Sequence, residues 1–122
     1  ILNKIDSRKR TEKVNEAIEW VGLTSKRNSK PNMLSGGECQ RTAIARALVH
    51  QPVLVMADEP TANLDAENSH NIMEILTNLN EKLETSFVFA THDEKIMGYL
   101  KRIIRLDDGN IVKDENIKKE DK

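Results

Sequence analysis

The chain has 122 residues, enough for one domain or part of one, and its 38% apolar and 32% charged content is typical of a globular protein. The formal net charge of −1 excludes a strong overall attraction to nucleic acid or anionic lipid, so no nucleic-acid partner is expected. The single cysteine excludes an internal disulfide and is typical of a reducing compartment.

No apolar run approaches the roughly 18 residues that a membrane helix needs, and no signal peptide is visible. Two basic clusters, Arg8–Arg10 and Lys26–Arg27, are typical of a solvated surface. The chain begins at Ile1 without a methionine, which indicates a piece trimmed from a longer protein.

The first predicted element is an amphipathic helix. Residues 1–8 read as an irregular lead-in, and residues 9–21 carry apolar side chains at helical spacing. Gly22 follows where a helix C-cap belongs, and residues 24–33 predict a polar loop. The apolar stripe of this helix consists of Val14, Ala17, Ile18 and Val21.

The second predicted helix begins at Ser35. Ser35 and Glu38 have the spacing of a capping box, in which each side chain bonds the other residue's backbone N–H. Pro52 ends the helix, because proline cannot continue it. The predicted buried stripe consists of Ala43, Ile44, Ala47 and Leu48.

Strands and helices alternate in the second half of the chain. Residues 53–57 are continuously apolar, which predicts a strand buried on both faces, as in a parallel sheet. Phe87–Ala90 predicts a second buried strand, and between the two lie a loop at 60–65 and a helix from Asp65 to about Glu84. The alternation predicts an α/β layer fold. The inward side of the intervening helix is predicted to consist of Ile72, Ile75, Leu76, Leu79 and Leu83.

A hairpin closes the order of predicted elements. Its strands, Arg102–Leu106 and Asn110–Val112, meet at the tight-turn pair Asp108-Gly109, and the charged tail from Lys113 is expected to fray. Two buried strands are few for a parallel sheet, so we expect their partner strands to lie outside this sequence. A short helix precedes the hairpin, and its apolar side consists of Ile96, Met97 and Leu100.

The start of the second helix reads as a phosphate site. Gly36 and Gly37 remove side chains from the first turn, so an outside group can approach its N–H groups, and Ser35 adds a hydroxyl. The helix dipole favours an anion there. A capped helix alone also explains the S-G-G-E pattern, but the longer string Leu34–Arg41 favours the phosphate site.

Two carboxylates follow the first strand. Asp58 and Glu59 lie where open α/β sheets bind ligands, and adjacent residues of a strand point to opposite sides. One carboxylate can hold Mg²⁺ while the other polarises an attacking water. The alternative is a surface turn before Pro60, which the preceding apolar residues disfavour.

Histidine and aspartate extend this candidate site. His92 directly follows the second strand, where an imidazole can hydrogen-bond a γ-phosphate, whereas His50 and His70 are interpreted as incidental. Asp65 is a further candidate, although helix capping alone explains it. Cys39 lies early in the second helix and is not expected to be catalytic.

Four motifs in this order resemble those of ABC-type ATPases. The hairpin at Gly109 is also similar to the family's stretch after the switch histidine. The strings Thr42–Leu48 and Asp58–Asp65 look most like importer and exporter ATPase subunits, closest to the lipoprotein-releasing and macrolide-export type. The four motifs are the signature motif at Leu34–Arg41, the Walker B strand with its catalytic glutamate at Val53–Glu59, the D-loop at Ala62–Asp65, and the switch histidine His92.

The resemblance implies a partial P-loop NTPase (RecA-like) core together with the family's α-helical subdomain. Residues 1–50 would form the helical subdomain, and residues 51–122 the carboxyl-terminal part of the core. ATP and Mg²⁺ would be bound, with Asp58 as the metal residue and Glu59 and His92 as catalytic residues. The implied nucleotide-binding residues are Ser35, Gly36, Gly37, Glu38, Gln40 and Asp65.

The resemblance also implies partners. The intact protein would be an ATPase at the cytoplasmic face of the cell membrane, bound to transmembrane permease subunits and paired head to tail with a second nucleotide-binding subunit. Ser35 and Gly37 would then contact the γ-phosphate of the partner's ATP. Glu59 would act as general base on the subunit's own ATP, beside the magnesium at Asp58.

The sequence departs from the family at two places. The Walker A loop, G-x-x-x-x-G-K-[ST], and the Q-loop are absent, and none of the five glycines fits the former. We therefore expect this piece alone not to hydrolyse ATP. Two other functions stay open: an ABC-type ATPase of DNA repair or chromosome organisation, which heptad repeats upstream would favour, and a non-catalytic interaction module.

Overall fold

A computed structural model describes residues 7–30 and 33–117. Its element order confirms the predicted succession of two helices, strand, helix, strand, short helix and hairpin, and the short helix is of the 3₁₀ type. Predictions on residues 1–6, 31–32 and 118–122 lie outside the described residues. The elements are α1 (Ser7–Trp20), α2 (Gly36–Leu48), β1 (Leu54–Asp58), α3 (Ala66–Leu83), β2 (Ser86–Ala90), β3 (Arg102–Asp107) and β4 (Asn110–Asn116), with 3₁₀ turns at Thr24–Lys26 and Glu94–Tyr99.

The strands form one parallel pair and one antiparallel pair. β1 and β2 run parallel, from Leu54 opposite Ser86 to Asp58 opposite Ala90, with α3 as the crossover between them. β3 and β4 form the predicted hairpin. Both of its turn residues, Asp108 and Gly109, have left-handed backbone angles, φ 47° and 77°, as the tight turn requires.

The two amino-terminal helices pack into a small aliphatic cluster. Gly22 ends α1 as predicted, because its φ of +72° allows Gly22 N–H to donate to Glu19 and Leu23 N–H to donate to Ile18. The described part of the helix already includes Ser7, two residues before the predicted start. The buried members of the cluster are Ala17, Val21, Leu23 and Ala45.

Three predicted core positions in these helices are wrong. Val14 is 39% exposed, and Ala43 and Ala47 lie on the solvent side of α2, where Ala45 is buried instead. α2 contacts both the α1 cluster and the α3 cluster, so its buried side is rotated relative to the predicted stripe. Alanine occurs readily on either side of a helix, which is why the pattern did not fix the rotation.

A second cluster joins α3 to the parallel sheet. Ile72 and Leu76 are buried as predicted, together with Met73, which the predicted stripe omitted. Ile96 of the second 3₁₀ turn is fully buried against them, and Phe87 and Phe89 of β2 pack on the same cluster.

The opposite side of the sheet is uncovered, so the prediction of strands buried on both faces is wrong for the described residues. Leu54, Met56 and Val88 point away from α3 and are 51%, 77% and 50% exposed. We call these three residues the open face. The reason is the one-sided packing: α3 covers one face of β1 and β2, and side chains alternate between the two faces.

The hairpin is longer than predicted. Lys113 to Asn116 were expected to fray but form the second half of β4, paired with Arg102 to Arg105. Arg102 donates to both carboxylate oxygens of Asp114, at 2.9 and 2.6 Å, which lowers the pKa of Asp114 and raises that of Arg102. Within the described ranges, no helix is long and apolar enough to cross a membrane.

Candidate functional site

The start of α2 is closed by the predicted capping box. Ser35 Oγ accepts from Glu38 N–H at 3.1 Å, and Ser35 N–H donates to Glu38 Oε1 at 3.0 Å. The bond from the Ser35 backbone is the main reason why the pKa of Glu38 is lowered. Glu38 is thus held by its own helix, which gives it a structural role at the site predicted to bind phosphate.

The glycines of this turn also have a packing role. α2 begins against the start of α3: a Cβ on Gly36 would lie 3.6 Å from Leu64, in ordinary contact. A Cβ on Gly37 would lie only 2.7 Å from Asn68 Oδ1, and Gly37 is buried. Gly37 therefore leaves room for the Asn68 side chain between the two helix starts, whether or not a phosphate binds there.

We expect Gly37→Ala to lower the free energy of unfolding by about 1 kcal/mol, because the Asn68 side chain must turn away from the new methyl group. Gly98→Ala is the matched control: no atom lies within 4 Å of the added carbon, so its effect should stay within about 0.5 kcal/mol. Adding Asn68→Ala to Gly37→Ala should recover most of the loss, since the remaining Cβ lies 3.6 Å away. Chemical denaturation of the wild type, the two single variants and the double variant measures these free energies. Equal free energies of unfolding for Gly37→Ala and Gly98→Ala would contradict the prediction.

The turn between β1 and α3 places a carboxylate at each end. Glu59 has a left-handed backbone, φ 49°, and its N–H donates to Ala90 O at 2.8 Å, which joins the carboxyl ends of β1 and β2. Asp65 Oδ1 accepts from Asn68 N–H at 2.8 Å, so Asp65 is the predicted N-cap of α3.

Glu59 and His92 meet at the carboxyl edge of the parallel sheet. His92 Nδ1 lies 2.6 Å from Glu59 Oε1, with the His92 side chain 94% exposed and that of Glu59 31% exposed. An ionised carboxylate can only accept, so Nδ1 donates to it and the rest of the imidazole faces solvent. The structure thus brings the two predicted catalytic residues into direct contact.

Three residues without a predicted role extend this pair. Thr91 Oγ1 donates to Glu59 Oε2 at 3.1 Å and accepts from Asp93 N–H at 3.0 Å. Thr61, which is 2% exposed, donates to Asp93 Oδ2 at 2.7 Å. This hydroxyl is the main cause of the lowered pKa of Asp93, with further help from Lys95 N–H. The only sequence signal for them was their position next to Glu59 and His92.

Asp58 is the remaining carboxylate at this edge. It is exposed at the last position of β1, opposite Ala90. In the ranges 7–30 and 33–117, no three His, Cys, Asp or Glu residues gather into a metal site. A single exposed carboxylate fits Mg²⁺ that reaches the protein with a nucleotide, because that ion takes one or two protein carboxylates and completes its shell with phosphate oxygens and water.

Seven of the nine predicted site residues fall into two groups. Ser35, Gly36, Gly37 and Glu38 surround the start of α2, which rests on the start of α3. Asp58, Glu59 and His92 lie at the carboxyl edge of β1 and β2. Gln40 lies half-buried on α2, outside both groups. His70, predicted to be incidental, contacts Tyr99 and Glu74 on the surface.

Residues 2–62, half of the chain, match the sequence family described as ABC transporter. This chain belongs to the ABC transporter family. It is 52% identical to the lipoprotein-releasing system ATP-binding protein LolD of Pseudoalteromonas translucida, over 79% of this chain and 41% of that protein. It is 48% identical to the macrolide export ATP-binding/permease protein MacB of Chlorobaculum tepidum, over 85% of this chain and 16% of that protein. These relatives confirm the predicted family and type.

Solved structures confirm the fold class. The dimeric bacterial ABC transporter cassette MJ0796 is 36% identical, with a TM-score of 0.78, over 98% of this chain and 52% of that one. cbiO1 from Clostridium perfringens, part of the ABC transporter complex cbiONQ, is 28% identical, with a TM-score of 0.88. The match covers 93% of this chain and 45% of that one. The fold is thus the α/β P-loop NTPase fold of such cassettes. The chain spans about half or less of the length of these relatives.

Proposed function

We propose that this chain is the carboxyl-terminal part of the ATP-hydrolysing subunit of an ABC transporter. In this proposal residues 1–50 belong to the α-helical subdomain that carries the signature motif. Residues 51–122 belong to the carboxyl-terminal part of the RecA-like core. The names of relatives such as LolD and MacB, both described as ATP-binding, support the proposal.

The observation that carries this function is the contact between Glu59 and His92 at the carboxyl edge of a parallel sheet. Ligands bind at such edges in open α/β folds. Glu59 is partly buried and held at both carboxylate oxygens, which suits a base that takes a proton from an attacking water. His92 is mostly exposed and can reach a phosphate oxygen beyond the sheet edge.

We assign the remaining roles from the same geometry. Asp58, exposed beside Glu59, would hold Mg²⁺, which supplies charge neutralisation for the nucleotide phosphates. The first-turn N–H groups at Gly36 and Gly37 would face the γ-phosphate of a second nucleotide, aided by the Ser35 hydroxyl. Glu38 and Asp65 would then support this contact rather than touch phosphate, since both are engaged as helix caps.

The proposal includes partners. A head-to-tail dimer would bring the start of α2 to the nucleotide of the other subunit, and a solved relative is described as a dimeric cassette. Transmembrane permease subunits would be the second partner, since MacB is named as an ATP-binding/permease protein. We place the subunit at the cytoplasmic face of the membrane, where ATP is available.

ATP hydrolysis by the intact protein tests the function. We expect steady-state phosphate release that requires Mg²⁺ and ATP, and none from residues 1–122 by themselves, because these lack a Walker A loop. An intact protein that binds ATP but releases no phosphate under any magnesium concentration would contradict the proposal. Magnesium-dependent turnover by residues 1–122 alone would contradict the assignment of the phosphate loop to other sequence.

A further inference from the structure

The hydroxyl of Thr91 links Glu59 to a buried part of the fold. Thr61, Asp93 and Thr91 form a chain of hydrogen bonds that ends on the carboxylate of Glu59. Two of these bonds, from Thr61 to Asp93 and from Thr91 to Glu59, each join residues 32 positions apart. They therefore tie the turn after β1 to the segment after β2.

The direction of each hydrogen bond follows from its donors. Asp93 N–H can only donate, so Thr91 Oγ1 accepts from it, and the single hydroxyl proton of Thr91 is left for Glu59 Oε2. The Asp93 carboxylate accepts from Thr61 at 2.7 Å and from Lys95 N–H at 3.0 Å. The buried end of the chain, Thr61, thus orients Asp93, and the loop containing Asp93 orients the Thr91 hydroxyl.

We propose that Thr91 is a positioning residue for Glu59. Its hydroxyl holds Oε2 while His92 holds Oε1, so the carboxylate plane is fixed from two sides. The terminal torsion of a glutamate is otherwise broad. Among the described residues, the other side chain that holds the Glu59 carboxylate is the mostly exposed His92. The inference rests on the proposed role of Glu59 as general base, because a base must present its lone pair to the attacking water in a fixed direction.

The test compares Thr91→Val, which keeps the side-chain shape without the hydroxyl, with Thr91→Ser, which keeps the hydroxyl, in the intact protein. We expect kcat for ATP hydrolysis to fall about tenfold in Thr91→Val, with the KM for ATP and the thermal midpoint little changed. Thr91→Ser should restore most of the rate. Thr77→Val is the matched control, since the Thr77 hydroxyl bonds Met73 O within its own helix, and its kcat should equal that of the wild type.

Each outcome decides between the two claims. If Thr91→Val hydrolyses ATP at the wild-type rate while Glu59→Gln is inactive, the positioning role is overturned and the proposed function stands. The same holds if Thr91→Ser is as slow as Thr91→Val, or if kcat falls only together with the thermal midpoint. A wild-type protein without hydrolysis overturns both. Should Thr91→Val fail to fold, Thr61→Val breaks the same chain at its buried end and is expected to lower kcat with KM unchanged.

Discussion

Replacing Glu59 by Gln in the intact protein is expected to lower kcat for ATP hydrolysis by roughly 10²–10⁴-fold, the usual contribution of a general base. Gln keeps the size of the side chain and can still contact Thr91 and His92, but it cannot take a proton from water. ATP binding should persist, because Glu59 is proposed to contact the attacking water and not the phosphates. The substitution therefore removes no contact to the nucleotide.

Phosphate release and equilibrium binding of ATP would be measured on the same preparations. Glu81→Gln is the matched control, since Glu81 is exposed on α3 away from the sheet edge, and its kcat should not change. A Glu59→Gln protein that hydrolyses ATP within a few-fold of the wild-type rate would remove the catalytic role from this residue. Loss of ATP binding in that protein would show instead that Glu59 contributes to nucleotide binding and not to the chemical step.

The second large effect concerns the two sides of the parallel sheet. Met73→Ala is expected to lower the free energy of unfolding by about 2–5 kcal/mol, because Met73 is 1% exposed in the cluster between α3 and the sheet. The same substitution at Met56, which is 77% exposed on the open face, should cost less than about 0.5 kcal/mol in residues 1–122.

We expect further sequence of the intact subunit to cover the open face, because three large apolar side chains are exposed there. In the intact protein we therefore expect Met56→Ala to become about as costly as Met73→Ala, because the side chain would then be buried. Denaturant titration of both variants, in residues 1–122 and in the intact protein, measures this. A neutral Met56→Ala in the intact protein would contradict the covering of the open face.

Local chemistry was the part of the structure that sequence could predict. Ser35 with Glu38, Asp65, and Asp108-Gly109 each form a cap or turn from residues within a few positions of one another, so their spacing was sufficient. The meeting of Glu59 and His92 was also predictable. Each directly follows a predicted strand, and the carboxyl ends of parallel strands share one edge.

Packing between distant segments was harder to predict from the sequence. Val14, Ala43 and Ala47 were misplaced because an apolar stripe does not say how far a partner helix extends or how many partners it has. The open face was not predicted, because a continuously apolar strand indicates that both of its sides are covered. The pattern does not say which segment covers each side. Thr61 and Thr91 gave little signal, since threonine is common and its role here depends on partners 32 positions away.

Mixing two inactive proteins tests most directly whether the start of α2 and the carboxylates after β1 serve different nucleotides. One protein carries Ser35→Arg, which blocks the start of α2, and the other carries Glu59→Gln. In a head-to-tail dimer a mixed pair has one intact site, built from the unaltered Glu59 of one subunit and the unaltered Ser35 of the other. Equal mixing should therefore recover up to about a quarter of the wild-type rate of ATP hydrolysis. Absence of any recovery, with mixed dimers present, would mean that both groups act on the same nucleotide and would contradict the account.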